Sequence, residues 1–184
     1  YYLARARLSQ LAGEYEIEKE LRGAELVGRR YKPLFDFVDL AKITGKKAYY
    51  VAAAEFVTTE DGTGVVHTAV MYGEDDYLLG QRLDLPMHHT VDAQGRFTAD
   101  VAPWAGQFVK DAESDIRRDL RRRGLLYREE NTTHAYPFCW RCDSPLLYYA
   151  WKTWYLATTR YRDELIAANR KVAWHPPEIG ANRF

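Results

Sequence analysis

A loop with two glycines and a following histidine is the first place in this sequence where chemistry is possible. Gly62 and Gly64 flank Thr63, so the backbone can approach a ligand closely and point its N–H groups into a site. The lysine and wider glycine spacing of a phosphate-binding loop are absent. A strand after the loop would place His67 near its middle, with Val65 on the same face. On this pattern alone, His67 is more often a core or rim histidine than a ligand contact, and both interpretations stay open.

Three acids open a predicted helix directly after this region. Glu74, Asp75 and Asp76 follow Gly73, and carboxylates in a first helical turn complement the helix dipole. Such a turn is usually solvated. In the functional alternative, one carboxylate turns inward and binds a cation, which is either an ammonium group or a metal ion. No histidine pair at metal-ligand spacing accompanies the cluster, so the sequence does not favour a metal here.

Two cysteines stand at the spacing of a zinc knuckle. Cys139 and Cys142 would supply two thiolates, but tetrahedral zinc takes four ligands and the chain has no further cysteine. One alternative is a pair of reduced cysteines. A thioredoxin-like redox pair is disfavoured because Ser144–Leu146 replaces the helix that should follow. The most economical interpretation is half of a zinc site, with the other two ligands outside this sequence.

A predicted helix at residues 110–123 carries an arginine-rich face. Such a face could bind RNA phosphates, although interspersed acids make a solvated surface the commoner outcome. Its basic residues are Arg117, Arg118, Arg121, Arg122 and Arg123, balanced by Asp111, Glu113, Asp115 and Asp119. No serine nucleophile lies in a G-x-S-x-G turn, so a covalent hydrolase is disfavoured.

The chain has 184 residues. This length is typical of one ordinary domain, or of one domain with an appendage, that must position these residues. Lys+Arg and Asp+Glu are 26 each, so a net-basic nucleic-acid binder is not indicated. A hydrophobic fraction of 47% excludes a disordered chain. No apolar run is long enough to cross a membrane, and two cysteines exclude a disulfide-rich scaffold.

Hydrophobic periodicity predicts interspersed strands and helices, which is typical of an α+β fold. Strands are predicted at residues 48–57, 65–69, 87–91, 125–136 and 146–158. Helices are predicted at residues 1–12, 74–83, 110–123 and 161–171. Asp111 is a candidate N-cap of the third helix, and Gly124 can end it. No internal repeat is present.

Taken together, these motifs resemble the editing domain of isoleucyl-tRNA synthetases. The resemblance covers nearly the whole chain and is weakest over residues 1–30. The blocks that carry it, in order, are Gly62–Ala69, Gly73–Tyr77, Thr90–Asp92 with Gly95, Gly124–Leu126 with His134–Pro137 and Cys139–Cys142, and Leu147–Tyr149 with Trp154. His67 favours the isoleucine enzymes, since the valine enzymes tend to carry lysine in this block and the leucine enzymes an apolar residue. The family usually has proline where this chain has Val70.

The resemblance implies hydrolysis of valyl-tRNA(Ile), because a synthetic site rejects an amino acid lacking one methylene only weakly. His67 would block isoleucine, and Asp76 would pair with the substrate ammonium. Gly62, Thr63, Gly64 and Val65 would line the pocket. Water would attack the ester, with positioning and the neighbouring ribose hydroxyl carrying much of the catalysis. The implied fold is a β-barrel-like core with peripheral helices.

The resemblance also implies parts outside this sequence. A threonine-rich segment should lie upstream of Tyr1, both ATP-binding signatures are missing, and a second Cys-x₂-Cys should complete the zinc site. We therefore expect residues 1–136 to be an editing domain truncated on its N-terminal side, and residues 137–184 to be a zinc half-site and connection toward the synthetic domain. We expect the isolated chain to fold but to edit poorly or not at all.

The implied setting is a cytoplasmic ligase that uses ATP and magnesium. The implied partners are the 3′ end of tRNA(Ile) carrying valine and the remainder of the same polypeptide, with no membrane. A different class of function remains as the alternative, which is a non-catalytic tRNA-docking or zinc-knuckle module. That alternative predicts that changing residues Arg121 to Arg123 matters and that changing Asp76 does not.

Overall fold

The computed structural model describes residues 1–60, 62–131 and 133–183. It divides the chain into two compact units, Tyr1–Ala150 and Trp151–Phe184. The boundary predicted from the sequence lies between residues 136 and 137. The functional assignment of those two ranges stays a prediction. In the described part of the chain, every helix is too short or too polar to cross a membrane.

Short helices and turns make up the regular structure of the described chain. The first unit contains α1 (Leu40–Thr44), α2 (Glu74–Arg82) and α3 (Glu113–Arg122), with 3₁₀ segments at Arg5–Gln10, Gly23–Glu25 and Ala102–Trp104. The second unit contains a 3₁₀ turn at Thr158–Tyr161, α4 (Arg162–Asn169) and α5 (Glu178–Arg183). The predicted helices at 74–83, 110–123 and 161–171 are thus confirmed within a few residues. The predicted first helix is a 3₁₀ segment.

Capping explains two of the helix boundaries. At α1, the Asp39 side chain accepts a hydrogen bond from the Lys42 N–H at 3.0 Å, and Gly45 ends the helix with a φ of 69°. At α3 the predicted cap is wrong, because Ala112 holds the N-cap position and no side chain caps it. Gly124 follows the helix with a φ of 66°, as expected of a residue that ends it.

The predicted β-barrel-like α+β fold is wrong. Residues 1–60, 62–131 and 133–183 contain no strand, sheet or barrel, and only isolated antiparallel bridges occur in them. At the clearest predicted strand, the Arg30–Tyr50 bridge is flanked by hydrogen bonds from Val51 N–H to Arg29 C=O and from Tyr31 N–H to Tyr49 C=O. This pairing does not continue into a strand, because the φ of 56° at Tyr49 takes the backbone out of the extended conformation. An apolar run favours a strand only where a second segment supplies its hydrogen bonds.

A small aromatic core lies beside α3. Trp104 and Val101 are each 7% exposed and Ala112 is fully buried. Phe35 meets the Trp104 ring edge-on at 5.4 Å, an arrangement that aromatic pairs favour. Because Ala112 is the N-cap of α3, the core fixes where this helix begins and hence where its arginines lie.

Candidate functional site

Asp76 is the acid of the first turn of α2 whose carboxylate turns onto the preceding loop. Its Oδ2 accepts a hydrogen bond from the Ala69 N–H at 3.2 Å, whereas Glu74 and Asp75 are exposed. A Cβ on Gly73 would lie 2.8 Å from this same Oδ2. Glycine at position 73 therefore leaves room for the carboxylate over the helix N-terminus. The positive end of the helix dipole stabilises a carboxylate there.

The glycine loop is held by the N-terminal segment. Arg7 donates from Nε to the Gly62 carbonyl at 2.9 Å, and Ala4 N–H donates to the Thr63 carbonyl at 2.7 Å. Gly64 has a φ of 77°, and a Cβ there would lie 2.7 Å from the Ala4 Cβ. The close approach that two glycines permit is therefore made by the chain itself, at its own residues 4–7.

A groove of about 350 Å³ lies beside this loop. Gly62 and Thr63 line it together with aromatic side chains, among which the rings of Tyr1 and Tyr127 meet edge-on at 4.9 Å. The Tyr127 hydroxyl accepts a hydrogen bond from the Ala12 N–H at 2.7 Å. These contacts tie the N-terminal residues to the segment after α3 and give the groove its wall.

His67 lies at the surface. Its ring meets the edge of Tyr31 at a centroid distance of 6.5 Å. Val65 and Val66 are each 53% exposed, so the alternating burial expected of a strand is absent here. Among the residues that the structure describes, no hydrogen bond or ring contact joins His67 to Asp76. The sequence-predicted site residues therefore fall into two groups, one at the glycine loop and one at the start of α2.

A cavity of about 550 Å³ is lined in part by the segment between the glycine loop and α2. Thr68 and Ala69 line it directly after His67, and Ala69 is the residue whose N–H holds Asp76. Most of its other walls are apolar or aromatic, which is typical of a ligand pocket of this volume. The remaining lining residues are Leu40, Val70, Met71, Tyr72, Pro86, His88, Thr90, Val91, Phe97, Val109, Tyr136, Leu147, Tyr148 and Tyr149.

Two tyrosines order one wall of this cavity. The Tyr72 hydroxyl accepts hydrogen bonds from the N–H groups of Thr90 and Val91 at 2.9 and 3.0 Å. The Tyr149 hydroxyl donates to the Val91 carbonyl at 3.0 Å. Burial, together with the nearby Tyr72 and Asp92, raises the pKa of Tyr149 and keeps its phenol protonated as that donor. The sequence reasoning missed these residues as site residues, although Thr90–Asp92 was already a block of the family resemblance.

The cysteine pair lies in a tight hairpin. The bridge between Phe138 and Pro145 closes it, and Cys139 N–H donates to the Ser144 carbonyl at 2.8 Å. Cys142 Sγ lies 3.3 Å from Ser144 Oγ. Hydrogen bonds from the Ser144 side chain and backbone, with a further one from Cys139, lower the pKa of the Cys142 thiol. No disulfide joins the two cysteines.

This hairpin fits half of a zinc site. It presents two sulfur ligands in one turn, and one of them is stabilised as the thiolate that zinc requires. The described residues, this hairpin included, contain no cluster of three or more metal-ligating side chains. A complete tetrahedral site would need two ligands from beyond this hairpin.

The arginines of α3 are compensated by acids. Arg117 and Arg121 pair with Glu129 at 3.2 and 2.9 Å. Pairs along the helix itself are Arg118 with Asp115, and Arg122 and Arg123 with Asp119. Hydrogen bonds from Arg122, with charge from both arginines, lower the pKa of Asp119. Five arginines share three acids in these pairs, so this face offers phosphates less positive charge than its arginines alone would.

Known isoleucine–tRNA ligases are similar in sequence to this chain over nearly its whole length. An isoleucine–tRNA ligase of Clostridium novyi (strain NT) is 48% identical over 174 residues, covering 95% of this chain and 16% of the relative. One of Dehalococcoides mccartyi (strain CBDB1) is 47% identical over 199 aligned positions, covering 100% of this chain and 20% of the relative. One of Thermoplasma acidophilum is 40% identical across 100% of this chain and 18% of the relative. No family model matches the chain.

Proposed function

Because this chain belongs to the isoleucine–tRNA ligase family and spans about a sixth to a fifth of the length of those relatives, we propose that it forms the part that removes valine from mischarged tRNA(Ile). The substrate is the valyl ester at the tRNA 3′ end, and the reaction is hydrolysis of that ester. Attachment of isoleucine with ATP and magnesium, in the cytoplasm, is proposed for the longer enzyme of which this chain is a part.

The placement of Asp76 carries this proposal. One carboxylate oxygen is anchored by the Ala69 N–H, and the other accepts no hydrogen bond within the described chain. An aminoacyl ester, unlike a peptide-linked residue, carries a cationic α-ammonium group next to the scissile bond. A fixed, partly buried carboxylate binds such a cation by a charge-assisted hydrogen bond. The acid is also next to a cavity large enough for an aminoacylated nucleoside.

In this proposal His67 supplies selectivity. Its exposed ring lies against Tyr31, outside the cavity lining, and it would narrow the entrance by turning toward its neighbour Thr68. Valine lacks one methylene of isoleucine, and a pocket can reject the larger side chain by steric exclusion more strongly than it can select against the smaller. Gly62 and Thr63 line the groove of about 350 Å³ and not this cavity, so substrate contacts of Gly62, Thr63, Gly64 and Val65 stay a prediction from the resemblance.

The cysteine hairpin has a structural role in this proposal. Cys139 and Cys142 would hold zinc together with two ligands from the remainder of the polypeptide. Zinc supplies a crosslink between distant segments when bound by four such ligands. The proposed chemistry of ester hydrolysis does not involve this metal.

The test is a titration with amide-linked valyl-adenosine, in which an amide replaces the ester and prevents hydrolysis. NMR spectra of the chain report each binding contact. We expect shifts at His67, Asp76 and the cavity residue Thr68, with weaker binding of the isoleucyl analogue. As the matched control, Arg121→Gln removes a paired surface charge and should leave binding unchanged.

Two results would count against the proposal. One is the absence of binding by a folded chain. The other is binding that Arg121→Gln weakens and Asp76→Asn does not, which would favour a tRNA-docking module instead.

A further inference from the structure

A histidine–aspartate pair lies at the wall of the cavity, and the proposed function does not use it. Nε2 of His88 lies 2.9 Å from Oδ2 of Asp100. The His88 side chain is 24% exposed and lines the cavity, so water can reach it. Neither residue was singled out by the sequence motifs.

The pairing determines which nitrogen of His88 can act as a base. A carboxylate oxygen accepts hydrogen bonds, so Nε2 carries the proton and donates to Asp100. The lone pair of the neutral ring then belongs to Nδ1. An acid that holds an imidazole in one tautomer in this way is a recurrent feature of hydrolytic sites, because it fixes the orientation of the basic nitrogen.

The backbone that follows His88 is held from two sides. The Tyr72 hydroxyl binds the N–H groups of Thr90 and Val91, and the Tyr149 hydroxyl binds the Val91 carbonyl. General-base catalysis needs a base whose position is fixed before the substrate arrives. These hydrogen bonds supply such rigidity at a wall of the same cavity that Thr68 and Ala69 border.

We propose that His88, oriented by Asp100, is the general base that activates the hydrolytic water in this cavity. The inference rests on the proposed function. Nδ1 of His88 takes a proton from water as the water oxygen bonds to the ester carbonyl carbon. The bond from that carbon to the ribose oxygen then breaks, and the leaving ribose oxygen takes the proton from His88. The products are valine and a tRNA with its terminal hydroxyl restored.

The experiment measures single-turnover hydrolysis of valyl-tRNA with the chain in excess, so that a slow rate stands out from spontaneous hydrolysis. His88→Gln keeps a side-chain donor for Asp100 but has no basic nitrogen. We expect it to lower the rate by about 10²-fold, or to the spontaneous rate, because general-base catalysis contributes about 10²–10⁴-fold. Binding of amide-linked valyl-adenosine should be unchanged. His134→Ala, which removes an exposed histidine, is the matched control.

Chemical rescue separates a catalytic role from a structural one. Added imidazole should restore part of the rate of His88→Ala, and it should not restore Asp76→Ala, whose defect is in binding. An unchanged rate in His88→Gln, with Asp76→Asn still impaired, would overturn the role of His88 and leave the proposed function standing. If the chain binds the analogue without accelerating hydrolysis, as expected of a chain that edits poorly or not at all, the same substitution is made in the longer ligase, where an unchanged editing rate of His88→Gln would overturn the inference. A chain that does not bind the analogue would refute the proposed function and this inference together.

Discussion

Replacing Asp76 by asparagine removes its charge while keeping its contact with the loop. The amide oxygen of asparagine can accept the Ala69 N–H hydrogen bond that Oδ2 accepts at 3.2 Å. The space over Gly73 remains filled by a group of the same shape. The loop and the start of α2 should therefore keep their positions, and only the attraction for an ammonium group is lost.

The expected loss follows from the kind of bond that is removed. A hydrogen bond to a charged group contributes about 1.5–3 kcal/mol, and each 1.4 kcal/mol changes an equilibrium about tenfold. Because Asp76 is only partly buried, we expect the lower part of this range. The dissociation constant of amide-linked valyl-adenosine should rise about 10- to 30-fold.

Calorimetric titration of the analogue checks this prediction, with thermal unfolding as the test of structural integrity. Asp75→Asn is the matched control, because it removes the same charge from the same turn at an exposed position. It should change binding less than about twofold, since solvent and salt screen it. Equal effects of the two substitutions would mean that net charge alone matters. Binding of Asp76→Asn within about twofold of the unsubstituted chain would refute the ammonium contact.

Three further predictions concern selectivity, packing and thiol chemistry. His67→Ala should bring the affinity for isoleucyl-adenosine amide close to that for the valyl form, because a methylene discriminates by about 1–3 kcal/mol. Unchanged selectivity in parallel titrations of the two analogues would exclude His67 as the residue that blocks isoleucine. Gly80→Ala should lower the free energy of unfolding by about 1–3 kcal/mol in urea titrations, because the new Cβ collides with a methyl of Val70. An unchanged free energy of unfolding would show that α2 can move away from Val70. Alkylation of Cys142 by iodoacetamide should begin at lower pH than that of an ordinary thiol, because a lowered pKa leaves more thiolate at each pH. Ser144→Ala should raise the pH at which Cys142 is half-alkylated, and mass spectrometry of each cysteine measures this midpoint. Equal midpoints for the unsubstituted chain and Ser144→Ala would contradict the role of Ser144.

The helices were predictable because their signals are local. Acids in the first turn and spacing of apolar residues by three and four locate α2 and α3 from the sequence alone. Capping was less predictable at α3, where Ala112 is buried in the aromatic core and begins the helix without a side-chain cap. Packing of Trp104 and Val101 around this residue decided the boundary instead.

The strands predicted from apolar runs, and the barrel that the family resemblance implied, are both absent from the described residues. Residues 48–57 carry the composition of a buried strand, but a strand depends on backbone groups of another segment, and the positive φ at Tyr49 ends the only ladder it enters in the described chain. Residues 65–69 likewise form no strand or bridge, and the N–H of Ala69 binds the Asp76 carboxylate instead of a neighbouring segment.

By itself, the sequence determined the family and the chemistry-bearing residue types, since the ordered motifs from Gly62 to Cys142 carry the resemblance and the chain is 40–48% identical to isoleucine–tRNA ligases. From residue types alone, the acid that turns inward was open among three; the family resemblance named Asp76, and the tertiary structure adds its hydrogen bond from the Ala69 N–H. The tertiary structure also brought His88 to Asp100 and to the cavity wall. Spacing along the chain encodes which groups are present, whereas contacts between residues far apart in sequence depend on how loops fold back, and no local pattern specifies that.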